Sequence, residues 1–195
     1  MSMQLNPQLV LQGYRLGAFP MADQDGEIGW FSPDPRCILP LDGFHISRSL
    51  RQTIRRGKFE LRIDTAFEEV IAACADRPEG TWISAEIDDV YRALHRQGFV
   101  HSVEAWYGGE LAGGLYGVAL GGAFFGESMF TRVTDASKVA LAALVERLIA
   151  RGFKLLDTQW LTPHLARFGA HYIRRSEYLR RLRQALALPV QFVDP

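Results

Sequence analysis

The sequence predicts a mixed α/β domain carrying a small N-terminal lobe. Three observations predict it. Residues 100–126 hold strand-like segments broken by Gly108-Gly109 and Gly121-Gly122, a hairpin signature. A long amphipathic stretch over 136–150 precedes a short apolar run, which reads as a helix followed by a buried strand. Pro20, Pro33, Pro35 and Pro40, with Gly13, Gly17, Gly26 and Gly29, punctuate the first forty residues. That density favours loops and short strands.

In order, the spacing predicts a short helix over 8–16, then loops and short strands to residue 43, where the lobe ends. Residues 44–195 form the larger domain. Ser47 to Arg56 reads as a basic helix, and Phe59 to Ile63 alternates like a strand. Thr65 with Glu68 has the spacing of a capping box, opening a helix through Ala75. Ser84, followed by Glu86, Asp88 and Asp89, opens another helix that ends near Gly98. Strands are expected over 100–107, 111–120 and 123–126. Asp135 stands as a candidate N-cap for the helix over 136–150, whose apolar stripe is Leu141, Leu144, Val145, Leu148 and Ile149. A strand over 154–156 and helices over 164–168 and 176–186 complete the chain. Hairpin strands followed by a strand and a long helix resemble acyl-transferring domains of the GCN5-related N-acetyltransferase type.

The 195 residues balance 22 Lys and Arg against 22 Asp and Glu, so any nucleic-acid surface must be a local patch. Cys37 and Cys74 stand far apart, which argues against a disulfide framework or a zinc site. The five histidines show no metal-ligand spacing. No apolar stretch has the length that spans a bilayer, and the N-terminus lacks a signal-peptide pattern. A cytoplasmic protein without membrane or metal is the expectation.

Four segments carry polar or aromatic groups in unusual settings. The string WFSPDPR (30–36) is a rigid corner. Trp82, in GTWIS (80–84), is either a stacking platform for a base or a loop anchor. Glu127 lies among Phe124, Phe125 and Phe130 and needs either a role or a partner, such as Arg132. Asp157 and Gln159 leave a buried-type strand on one face. Together they can hold and polarise an amine, or they form an ordinary hydrogen-bonded strand end. The basic patches are Arg48, Arg51, Arg55, Arg56 and Lys58, then Arg174, Arg175, Arg180, Arg181 and Arg183. Each is either a solvated face or a phosphate contact.

Taken together, Tyr14-Arg15-x-Gly17-x-Phe19-Pro20, WFSPDPR, HISRSL (45–50), GTWIS, HSVEAW (101–106), GGLYGVALG (113–121), FGESMFTR (125–132), ASK (136–138) and LLDTQ (155–159) resemble the bacterial leucyl/phenylalanyl-tRNA–protein transferase family. His164, Gly169 and Ala170 fit the same pattern. The resemblance implies an aminoacyltransferase that moves Leu or Phe, or Met, from aminoacyl-tRNA to acceptor proteins with exposed Arg or Lys N-termini, marking them for degradation. It implies no cofactor, because the ester is already activated. Asp157 and Gln159 would orient and deprotonate the amine, with Glu127 as the acidic residue beside them. Leu115, Phe124, Met129, Leu141, Leu144, Leu148 and Leu156 would line the aminoacyl pocket. Trp82 would stack the terminal adenine, and Arg51, Arg55 and Arg56 would meet tRNA phosphates. Met21 stands where the family usually has a second stacking tryptophan. The chain also begins later than typical members.

Two rivals are weighed against this. A coenzyme A-dependent N-acetyltransferase needs a glycine-rich pyrophosphate loop before its long helix. Here that segment is Arg132-Val133-Thr134-Asp135-Ala136-Ser137-Lys138, with no glycine and an aspartate that repels phosphate. A non-catalytic tRNA- or peptide-binding module would not need Asp157 with Gln159.

Overall fold

The computed structural model describes residues 5–78 and 80–194. In chain order the elements are α1 (Pro7–Arg15), β1 (Phe19–Ala22), β2 (Ile28–Phe31), β3 (Arg36–Ile38), α2 (Arg48–Arg55), β4 (Glu60–Ile63), α3 (Phe67–Ala75), α4 (Ala85–Arg96), β5 (Val100–Tyr107), β6 (Glu110–Leu120), β7 (Ala123–Thr131), α5 (Ala136–Ala150), β8 (Leu155–Gln159), α6 (Pro163–Ala166), β9 (His171–Ile173) and α7 (Arg175–Leu186). This is the mixed α/β class expected.

Local chemistry sets most helix starts. The side chains of Asn6, Ser47, Ser84 and Thr162 each accept a backbone N–H of the first turn, at α1, α2, α4 and α6. Two expected caps are not made. Thr65 does not cap α3; its hydroxyl donates to Glu104 instead, and Glu104 also accepts the N–H groups of Thr65 and Ala66 at 2.9 Å. A carboxylate from β5 therefore serves the start of α3, and it also accepts the Ser102 hydroxyl at 2.8 Å. Asp135 does precede α5, but with φ 74° and no cap hydrogen bond; its carboxylate pairs with Lys138 at 2.7 Å.

The main sheet has seven strands in the order β4-β5-β6-β7-β8-β3-β9. Neighbours are antiparallel except β7 and β8, which run parallel. Period-two alternation sends Tyr116, Val118 and Phe125 into a core with α1, α3, α4 and α7. Leu115, Phe124 and Leu156 go to the opposite core, under α5 and α2. β3 inserts into the main sheet between β8 and β9, and Val10, Leu11 and Tyr14 of α1 belong to the first core. The β1–β2 hairpin is the part that stays outside the sheet.

Two features of the sheet position the site. The parallel pairing covers only Ala123–Leu155, Phe124–Leu156 and Phe125–Asp157. Beyond it β7 stays with β6 while β8 stays with β3, so a gap opens between them. On the other side of β7 the register shifts: Tyr116 faces Ser128 and Gly117 faces Gly126, leaving Glu127 as the extra residue of a β-bulge. A side chain at Gly117 would collide with the Phe125 carbonyl and the Phe124 ring. The bulge reverses the alternation. Phe124 and Met129, five positions apart, both face the α5 side.

Candidate active site

A cleft of about 520 Å³ occupies the gap where β7 and β8 part. Its α5 side is apolar, lined by Leu115, Met129, Leu141, Leu144 and Leu156, with Leu165 of α6. Its other side carries Met21 from β1, Trp82 from the loop before α4, and Arg77. Glu127 and Gln159 stand on the wall between, with the Gln159 Nε2 donating to Glu127 Oε1 at 3.3 Å.

Two carboxylates meet here in opposite surroundings. Asp157 is fully buried and does not line the cleft. Arg36 grips it from β3, with Nε at 2.9 Å and Nη2 at 2.6 Å, and Tyr178 of α7 donates to it at 2.7 Å. Arg36 is also fully buried and donates a further bond to the Gly17 carbonyl at 3.1 Å. Asp157 in turn accepts the Gln159 N–H at 3.0 Å. That bond matters because Gln159 has φ 56°, a left-handed conformation that costs a non-glycine residue roughly 1–2 kcal/mol. The carboxylate thus fixes the backbone that aims the Gln159 amide at the cleft. Asp157 and Gln159 share a strand face as expected, but Gln159 alone of the two reaches the cavity.

Among the described residues Glu127 makes no ion pair; its hydrogen-bond partners are neutral. Arg132 does not pair with it; that side chain donates to the Leu111 carbonyl and lies over Phe130. Tyr14 of α1 donates to Glu127 at 2.7 Å, and the Tyr14 and Tyr91 hydroxyls are 2.5 Å apart. Burial pushes the Glu127 carboxyl up to about 8, opposed by the Tyr14 hydrogen bond and reinforced by the charge of Asp157. The phenols of Tyr14 and Tyr91, desolvated and beside that acid, titrate well above 10 and stay protonated.

Two family models match the chain: leucyl/phenylalanyl-tRNA protein transferase over residues 38–183, and its N-terminal domain over residues 3–34. The chain belongs to the leucyl/phenylalanyl-tRNA protein transferase family. Leucyl/phenylalanyl-tRNA–protein transferases of Herpetosiphon aurantiacus and Gloeobacter violaceus are each 58% identical to it over 193 residues, covering 98% of this chain and 100% of theirs. That of Rubrobacter xylanophilus is 57% identical, covering 97% of this chain and all of its own length. Relatives therefore exist at this same length. Among solved structures, the C-terminal domain of a putative lysylphosphatidylglycerol synthetase from Agrobacterium fabrum aligns at TM-score 0.44 and 12% identity, covering 80% of this chain and 52% of that one.

Five of the seven residues that the family resemblance assigned to the aminoacyl pocket line the cleft. Phe124 and Leu148 do not. Both are fully buried behind the wall, Phe124 against Phe192 at 5.2 Å. Trp82 and Met21 meet on one side of the cleft, and the Trp82 carbonyl accepts the Ala22 N–H at 3.1 Å. Arg51, Arg55 and Arg56 are exposed on and just after α2, which rests on α5 outside the cleft. Sequence reasoning gave no role to Arg36 or Tyr14, although both lie in the matching strings, and did not single out Tyr91 or Tyr178. The one local signal was an arginine opening the otherwise apolar Arg36-Cys37-Ile38-Leu39. Among the described residues no cluster of three His, Cys, Asp or Glu is arranged to hold a metal ion. No helix there is long and apolar enough to cross a membrane.

The Glu127 environment predicts a stability effect of definite sign. Folded, this carboxyl keeps its proton to about pH 8; unfolded, it loses it near its ordinary value of 4.5. Between those values the folded state holds the extra proton, so stability falls as pH rises. Glu127→Gln removes that dependence. The melting temperature of the variant minus that of the wild type should grow from pH 5 to pH 8 and then level off. A difference that stays flat across this range would show that Glu127 is not desolvated.

Proposed function

We propose that the chain transfers Leu or Phe, with Met as a further substrate, from the 3′ end of a charged tRNA to the N-terminal α-amine of a protein beginning with Arg or Lys, so marking it for degradation. The carrying observation is the Glu127–Gln159 pair between an apolar pocket on one side and Trp82 with Met21 on the other. A donor laid across that wall puts its side chain among Leu115, Met129, Leu141, Leu144 and Leu156. Its terminal adenine rests on Trp82, with the Met21 thioether against the ring. A pocket of this shape takes side chains unbranched at Cβ and resists Val and Ile.

The reaction joins the amine nitrogen to the ester carbonyl carbon and breaks the bond from that carbon to the tRNA 3′ oxygen. The amine arrives as an ammonium with a pKa near 8. It gives one proton to Glu127, whose own value of about 8 makes that transfer nearly balanced. The second proton ends on the departing 3′ oxygen. Gln159 orients the amine through its amide. Asp157, enclosed by Arg36 and Tyr178, acts by holding Gln159 rather than by taking the proton. The exposed arginines of the α2 region meet tRNA phosphates.

Incubation with Leu-tRNA or Phe-tRNA and an Arg-starting peptide should give a peptide heavier by one Leu or Phe. No such product from either donor would end this reading. The acid limb of kcat/KM should lie near pH 8, and Tyr14→Phe should move it upward. That variant deletes a hydrogen bond to the ionised carboxylate, so a higher pH is needed to ionise Glu127. The acceptor amine is the same for both enzymes, so the shift reports Glu127; coincident limbs would remove Tyr14 from the mechanism. Replacing Arg51, Arg55 and Arg56 together with Ala should flatten the slope of log affinity for charged tRNA against log salt by roughly two to three. An unchanged slope would make that helix a solvated face.

A further inference from the structure

The cleft continues outward into an aromatic shelf that the transfer step does not use. Phe31 is 42% exposed and Trp160 is 39% exposed. Their rings meet at 6.3 Å, and both touch the buried Phe19 ring, Trp160 edge-on at 5.1 Å and Phe31 nearly parallel at 6.3 Å. In the β1–β2 hairpin Phe19 lies opposite Phe31, and Met21 opposite Gly29, so these positions share one face. The Phe31 ring leans over Gly29; a Cβ there would lie 3.1 Å from it. The shelf therefore runs from Trp82 and Met21, at the donor end of the cleft, over Phe19 to Phe31 and Trp160.

Exposed ring faces are what unpaired bases stack on. A cation stands beside them. Arg175, 46% exposed, donates to the Ser32 carbonyl at 3.1 Å, with the Asp34 carboxylate 4.0 Å away. We propose that Phe31 and Trp160 stack the nucleotide that precedes the terminal adenosine of the donor, with Arg175 against its phosphate. This rests on the aminoacyl-tRNA reading of the cleft. Continuity with Trp82 favours the nucleic acid over the acceptor polypeptide as occupant, and so does a guanidinium at the rim.

The test compares two donors with one acceptor peptide: charged tRNA, and aminoacyl-adenosine, which ends at the terminal nucleoside. Phe31→Leu and Trp160→Leu keep apolar contact and remove the flat faces. Each should raise the KM for charged tRNA about five- to fiftyfold, and at least fivefold more than it raises the KM for aminoacyl-adenosine. Trp160→Phe should recover most of the loss. If Trp160→Leu lowers the melting temperature, Phe31→Leu decides. Equal changes for the two donors would overturn the proposal, as would a rise confined to the KM of the acceptor peptide. If the wild-type protein uses neither donor, both this inference and the proposed function fall; transfer by the wild type with no difference between donors fells this one alone.

Discussion

The Arg36–Asp157 ion pair holds the site together. Both side chains are removed from water, which costs several kcal/mol per charge unless geometry and further hydrogen bonds compensate. Here they do. Two guanidinium nitrogens meet the carboxylate, Tyr178 donates to it, and Gly17 accepts a remaining N–H. The Arg36 guanidinium also sits between the rings of Phe19 and Tyr178, at 4.8 and 4.5 Å from their centres. One pair thus joins β3, β8, α7 and the segment before β1. Removing either partner leaves an uncompensated buried charge, a loss of about 3–5 kcal/mol. The same pair makes the left-handed Gln159 tolerable by holding its N–H. The constraint that secures the fold is therefore also the one that aims an amide at the cleft.

The second constraint is the bulge at Glu127. Regular alternation through β7 would put residues 125, 127 and 129 on one face. The extra residue leaves Glu127 with Phe125 on the Tyr14 side and turns Met129 to the α5 side. A single strand then supplies both the acid and part of the apolar pocket. The absence of a side chain at Gly117 permits this close strand approach.

Much of this was legible in the sequence where the signal is local. The period of residues 136–150 gives α5 with its bounds, and the double glycines mark the two hairpin turns. The serines at 47 and 84 start helices because a hydroxyl within one turn is the cap. Thr65 looked the same but lost its hydroxyl to Glu104, thirty-nine positions away. The partners of Asp157 and Glu127 were hidden for the same reason: Arg36 lies 121 positions from Asp157, and Tyr14 lies 113 from Glu127. Phe124 and Leu148 show a different limit. An apolar residue on a core-facing stripe has the same signature whether it meets a cavity or fills the layer behind it.

The two carboxylates show how one fold divides labour between like groups. Asp157 has a guanidinium and is enclosed; Glu127 has phenols, lies at a cavity wall and, among the described residues, makes no ion pair. A phenol stabilises a carboxylate less than a guanidinium does, because it brings a dipole rather than a charge. Placing the cation beside Asp157 therefore leaves Glu127 raised by desolvation, which the Tyr14 and Tyr91 hydrogen bonds and the charge of Arg36 offset only in part. It also puts a negative charge nearby that raises it further. Exchanging those partners would leave a paired carboxylate at the cleft wall, with its basicity lowered by the cation. The separation of the two acids follows from where β3 enters the sheet, since β3 brings Arg36 to β8 rather than to β7. Strand order thereby determines which of the two acids is held in an ion pair and which is left with phenols at the cleft wall.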